Sequence, residues 1–257
     1  LSIDQKPSWM NNACRKGMYA RKGQRQVAAK ESHAASRDRY TILTYVPSWA
    51  PPADSPPPVA LLFKAASGAH IIRALEFPEW MNIQFQEKGS YRAKDVKDAI
   101  NWYLKPARTS SESVVVLLDW FSAHLTEEVQ TAIRDMGHVV LYHGGGVTGL
   151  EQINDTHLHA CVQRLMEQLE TTEFFRQRQQ DPNRIASLDR QVVIDLVTEM
   201  WRQIDHANVR EKGYSQTGPT TPWDADTESL FIDLQPFWEA LEGDTLRRQA
   251  RDMVDAK

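Results

Sequence analysis

Along the chain, apolar positions first recur in short β-like runs and later settle into the three-and-four spacing of helices. Residues 1–5, Leu-Ser-Ile-Asp-Gln, read as the tail of a buried strand. Residues 25–29 and 39–46 are β-like, and the second of these, Arg-Tyr-Thr-Ile-Leu-Thr-Tyr-Val, is rich in β-branched and aromatic residues. Between 47 and 58 stand six of the thirteen prolines, so no regular element crosses that stretch. It separates two strands suited to a hairpin, the second running from Val59 to Phe63. Met81–Gln86 reads as a further short strand. Ala93–Leu104 carries Val96, Ile100, Tyr103 and Leu104 at helical spacing.

The second half is clearer. Ser113–Leu118 is a continuous apolar run, as expected of a strand buried on both faces, and it ends in Asp119. Thr126–Met136 reads as a helix with Thr126 as its N-cap. His138–Tyr142 is another β run, broken by Gly144-Gly145-Gly146, and Leu150 to about Gln180 is a long helical pattern. A further helix spans Leu188–Arg202, with an apolar stripe at Val192, Val193, Leu196, Val197 and Met200. After residue 213 the chain is polar and acidic until a last helical stretch around Phe237–Met253. Strands followed by helix–strand–helix–strand–helix predict an α/β sheet, antiparallel at first and parallel later, flanked by helices.

Composition changes this picture little. The chain has 257 residues, 41% hydrophobic and 25% charged, enough for a sizeable core. The net charge of -4 argues against a uniformly basic nucleic-acid binder. The charge is uneven, however. From Cys14 to Arg39 there are eight Lys or Arg residues against Glu31 and Asp38, a local excess of six positive charges. Arg15, Lys16, Arg21, Lys22 and Arg25 are therefore candidate phosphate contacts, with a solvated loop as the plainer reading. Two distant cysteines, Cys14 and Cys161, make neither a disulfide scaffold nor a metal motif. No apolar run approaches the roughly 20 residues of a membrane helix. The chain opens on Leu1, already inside a strand, so further sequence is expected upstream.

Three carboxylates stand out by position. Asp119 ends a strongly apolar strand, where functional groups of α/β sheets gather, although turn aspartates also occur there. Asp155 lies near the start of the long helix, where the helix dipole alone favours an acid. Asp4 ends or nearly ends the first strand, in Ile3-Asp4-Gln5, and by itself carries no signal. Together, two strand ends and a helix start can converge on hard divalent cations, which prefer oxygen ligands. Two such ions suffice for phosphodiester chemistry. His157 and His159, two apart on a helix, point to different faces and do not form a zinc pair.

Three blocks together resemble the DDE endonuclease domain of pogo/Tigger-like transposases, relatives of mariner elements and of centromere protein B. The first is Ser2-Ile3-Asp4-Gln5, followed by Gly17-Met18-Tyr19-Ala20-Arg21-Lys22-Gly23 and Arg39-Tyr40-Thr41-Ile42-Leu43-Thr44. The second is Leu117-Leu118-Asp119-Trp120-Phe121-Ser122-Ala123-His124. The third is Val147-Thr148-Gly149-Leu150-Glu151-Gln152-Ile153-Asn154-Asp155. The sequence departs from the family at Lys6, where Thr is usual, at the triple glycine, and at Ile153, where Pro is usual.

The resemblance implies an RNase H-like catalytic domain over residues 1–180, with 181–257 as a helical extension and acidic tail. It implies catalytic, metal-binding roles for Asp4, Asp119 and Asp155, and a phosphate- or nucleophile-orienting role for His124, which is otherwise a turn histidine. Two Mg²⁺ or Mn²⁺ ions, DNA as partner, a homodimer in a synaptic complex and a nuclear location follow from the same resemblance. A helix-turn-helix region is expected upstream, since none is legible in these residues. The alternative within the same fold is a domesticated module that binds DNA or protein without cutting.

Overall fold

The sheet is built outward from strand β1 (Ser2–Trp9), which pairs antiparallel with β2 (Arg39–Val46) from Ser2 opposite Val46 to Trp9 opposite Arg39. Strand β3 (Val59–Lys64) continues antiparallel on β2, and β4 (Met81–Gln86) adds parallel to β3 at the edge. On the other side of β1 lie β5 (Val115–Leu118) and β6 (Val139–Tyr142), both parallel. The order is β4-β3-β2-β1-β5-β6, the mixed α/β sheet that the sequence pattern predicts. This computed structural model describes residues 1–10, 39–52, 55–65, 69–104, 113–143, 152–181 and 188–217. The β-like stretch 25–29, the basic residues Arg15, Lys16, Arg21, Lys22 and Arg25, the triple glycine and the tail after residue 217 lie outside them.

Period-2 alternation distributes each strand between two apolar layers. Tyr40, Ile42, Val59, Leu61 and Phe63 point to one face, and Leu43, Tyr45, Ala60 and Leu62 to the other. The second face is covered by helices α2 (Ala93–Leu104) and α3 (Glu127–Asp135), through Val96, Ile100, Leu104, Val129 and Ile133. A one-turn helix, α1 (Ala69–Ile72), joins β3 to β4. The first face is covered by α4 (His159–Gln180), α5 (Arg190–Gln203) and α6 (His206–Gln216). Trp201 of α5 is fully buried there, and its indole N–H donates to the Pro57 carbonyl at 2.7 Å. That bond anchors the proline-rich connection.

Several elements depart from the sequence-based expectation in ways that have physical causes. Strand β1 runs four residues past Gln5 despite Pro7. Its β5 ladder is confined to Ser2 and Leu117, so the Pro7 position needs no amide on that side. Thr126 occupies the N-cap of α3 but makes no side-chain cap; its hydroxyl donates to the Ala123 carbonyl at 3.0 Å. The helix expected over Leu188–Arg202 forms as Arg190–Gln203, and a separate helix follows it, because Asp205 caps a new helix by accepting the Asn208 amide at 3.0 Å. The long helix is preceded by a π-helical turn, Asn154–Leu158, and such wide turns concentrate at functional sites.

Candidate metal centre

Asp4 lies midway along β1, opposite Thr44 of β2. Asp119 follows the end of β5, beyond the single Ser2–Leu117 pairing with β1, and is near enough to Asp4 for its charge to act there, although it lies outside the tight group that Asp4 forms with Asp155 and His159. Neighbouring strands lie about 4.8 Å apart, which keeps the two carboxylates within electrostatic reach. The π-helical turn brings Asp155 to the same place from the covering layer. The side-chain donor atoms of Asp4, Asp155 and His159 all lie within 4.8 Å of one another.

Hydrogen bonds fix this turn to the sheet. The Ser2 hydroxyl donates to Asn154 Oδ1 at 2.6 Å. Asn154 Nδ2 donates to Thr44 Oγ1 at 2.7 Å and to the Thr44 carbonyl at 3.2 Å. The Thr44 hydroxyl donates to the Asp4 carbonyl at 3.1 Å and lies 3.1 Å from His159 Nε2. On the far side of the turn, α6 approaches so closely that a Cβ on Gly213 would overlap Ile153 Cγ2. Only glycine lets this helix press the turn onto β1 and β2.

Each carboxylate has its own electrostatic setting. Asp4 is 6% exposed. Burial drives its pKa up to about 8; the Gln5 amide, donating to Oδ1 at 2.7 Å, partly opposes this, and the charges of Asp155 and Asp119 add to the rise. Asp119 is half-buried, and burial again pushes upward. Here His124 and the Phe121 amide prevail and hold the carboxyl below its ordinary value. His124 Nδ1 lies 2.6 Å from Asp119 Oδ1. Its Nε2 lies 3.0 Å from Gln5 Nε2, which can only donate, so Nδ1 carries the hydrogen that Asp119 accepts. Asp155 is exposed at the mouth. Burial lowers the pKa of His159, against the pull of Asp155.

The donor set suits a divalent cation. Two carboxylates and an imidazole bring their donor atoms within 4.8 Å of one another. Gln152 is fully buried beside Asp4 and favours its anion, although its amide falls outside ordinary hydrogen-bond geometry.

Among the sequence candidates, Asp4 and Asp155 come together directly, and Asp119 stands beside Asp4 with His124 behind it. His124 is fully buried, with both ring nitrogens engaged. His157 turns away from the cluster to Gln216, 2.7 Å from its Oε1, so the two helix histidines do face differently. Sequence reasoning missed His159, Thr44, Asn154 and Gln152. The four-residue step from Asp155 to His159, which puts both on one helix face, was the available signal for the histidine.

No family model and no curated protein matches the chain. Among solved structures it is similar to the Mos1 transposase paired-end complex with left transposon end, at 15% identity and a TM-score of 0.41, covering 84% of this chain and 55% of that one. It is also similar to the Mos1 mariner paired-end complex with Mn, at 14% identity and a TM-score of 0.42, covering 86% of this chain and 56% of that one. The chain thus spans about half the length of the structures it matches.

Proposed function

We propose that this chain is a DDE-type, transposase-derived endonuclease domain of the pogo/Tigger-like group, acting on DNA in the nucleus, with Asp4, Asp119 and Asp155 as its metal-binding carboxylates. The observation that carries the reading is the convergence on Asp4. A carboxylate buried at the sheet centre, raised to about pH 8 by desolvation and by two neighbouring acids, is a poor structural choice and a good cation site. Two bound Mg²⁺ or Mn²⁺ ions would supply Lewis-acid activation of a water or a DNA 3′-hydroxyl and charge stabilisation at the phosphorus.

The residues of the chain divide the remaining work. Asp4 would hold metal at the centre of the group, and without metal burial raises its pKa to about 8. Asp119 stays ionised because His124 donates to it. His124, enclosed between Asp119 and Gln5, acts on phosphate only through Asp119 and is a positioning residue. Asp155, exposed at the mouth, meets incoming substrate. Arg15, Lys16, Arg21, Lys22 and Arg25 would neutralise phosphates along the strand that leads into the site. A homodimer would pair two such sites on two DNA ends.

The test is nicking of supercoiled plasmid by the purified chain in Mn²⁺, beside Asp119→Asn. Asparagine keeps the shape of the side chain and removes the charge. Nicking by the parent that vanishes in the variant supports the reading. Equal nicking by both refutes it, and no nicking by either moves the assignment to the non-cutting, domesticated form of the fold.

A further inference from the structure

We infer that His159 is itself a metal ligand, through Nδ1, so that the centre is a mixed nitrogen–oxygen site that favours Mn²⁺ or Zn²⁺ over Mg²⁺; the inference rests on the proposed metal-dependent reading and deepens it. Hydrogen-bond accounting identifies the atom. The Asp4 carbonyl can only accept, so the single hydroxyl hydrogen of Thr44 goes to it, at 3.1 Å. The Thr44 carbonyl likewise can only accept, which fixes Asn154 Nδ2 as a donor to both Thr44 oxygens. Thr44 Oγ1 then has one lone pair left for His159 Nε2, 3.1 Å away, and Nε2 must bring the hydrogen. Nδ1 is the ring nitrogen that faces the carboxylates.

The spacings around Nδ1, which without an ion are those of a hydrogen bond to Asp155, leave room for a cation held by all three side chains. Nδ1 lies 3.0 Å from Asp155 Oδ1 and 3.6 Å from Asp4 Oδ2. Neighbouring ligands of an octahedral ion with bonds of about 2.1 Å are about 3.0 Å apart. The Thr44 hydroxyl behind Nε2 is the outer hydrogen bond that orients a ligating histidine, here supplied by the adjacent strand. Gln152, buried beside Asp4, favours the anionic form of that carboxylate. Imidazole suits Zn²⁺ best; Mn²⁺ shares the oxygen preference of Mg²⁺ but, as the softer ion, takes a nitrogen ligand more readily than Mg²⁺ does.

The experiment uses Mn²⁺ alone as probe. Pulsed electron paramagnetic resonance of the Mn²⁺-loaded chain reads coupling to a directly bound imidazole nitrogen. The expected result is that coupling in the parent, retained in His157→Gln and lost in His159→Gln. In parallel calorimetry, His159→Gln should weaken Mn²⁺ and Zn²⁺ binding about 10–100-fold or more, the loss seen even for groups that only support a ligand. Mg²⁺ binding should change far less. Bound Mn²⁺ without nitrogen coupling in the parent, or coupling that survives in His159→Gln, overturns the inference and leaves the carboxylate site standing. Failure of the parent to bind Mn²⁺ overturns both this inference and the metal-dependent function.

Discussion

Replacing Asp4 by asparagine should stabilise the metal-free protein while abolishing its response to divalent ions. Asparagine retains the oxygen that accepts the Gln5 amide and removes the charge. In the parent, burial raises Asp4 from 3.8 to about 8, so across that window the folded chain holds a proton that the unfolded chain has released. The stability tied to this group is complete below the lower value, falls as pH rises, and is lost above the upper one. One proton corresponds to about 1.4 kcal/mol per pH unit. Between pH 6 and pH 8 the parent should therefore lose about 2–3 kcal/mol relative to Asp4→Asn. Urea unfolding in chelator at several pH values measures this directly as a gap in midpoints that widens with pH. Mn²⁺ at about 100 times its dissociation constant should restore about 2.7 kcal/mol to the parent and nothing to the variant. Midpoints that fall in parallel from pH 6 to pH 8 would refute the claim that Asp4 is a desolvated, uncompensated carboxylate.

Other perturbations probe the frame around the site. Gly213→Ala should destabilise by about 1–3 kcal/mol through overlap with Ile153, and the penalty should vanish in an Ile153→Ala background, where the overlapping methyl is gone; chemical denaturation of the four variants gives the coupling. His124→Ala leaves Gln5 and Asp119 without their buried partner and should cost about 2–3 kcal/mol in the same assay. Nicking should fall along with it. Thr44→Val removes the oxygen behind His159 and should weaken Mn²⁺ binding about 10–100-fold by calorimetry. Trp201→Phe unties α5 from the Pro57 carbonyl and should lower stability by about 1–3 kcal/mol, seen as a lower Tm.

One surface feature separates what packing settles from what composition suggests. Val115, Val139 and Leu141 are 43%, 48% and 51% exposed, although Val115 belongs to a run that reads as buried on both faces. In the parallel register Val115 faces Val139 and Leu117 faces Leu141. This end of the sheet is apolar on both faces, and α4, α5 and α6 cover the first face chiefly over β1 to β4. No local pattern could say where that cover stops.

The amino-acid sequence by itself determined the strands and most helices, because period-2 runs, proline clusters and apolar stripes are local. It also marked Asp119 after an apolar strand and Asp155 near a helix start, which are local features, whereas Asp4, expected near a strand end, sits inside the longer strand β1. Strand order, the π-helical turn and the break at Asp205 came from tertiary structure. So did the role of His159, whose partners Asp4 and Thr44 lie more than a hundred residues away in the chain. A hydrogen bond of that span leaves no periodic trace, because its two halves meet only when β1, β2 and the long helix have packed. The same packing sets the charge state of Asp4. Burial beside two other acids raises an ordinary aspartate to a pKa of about 8.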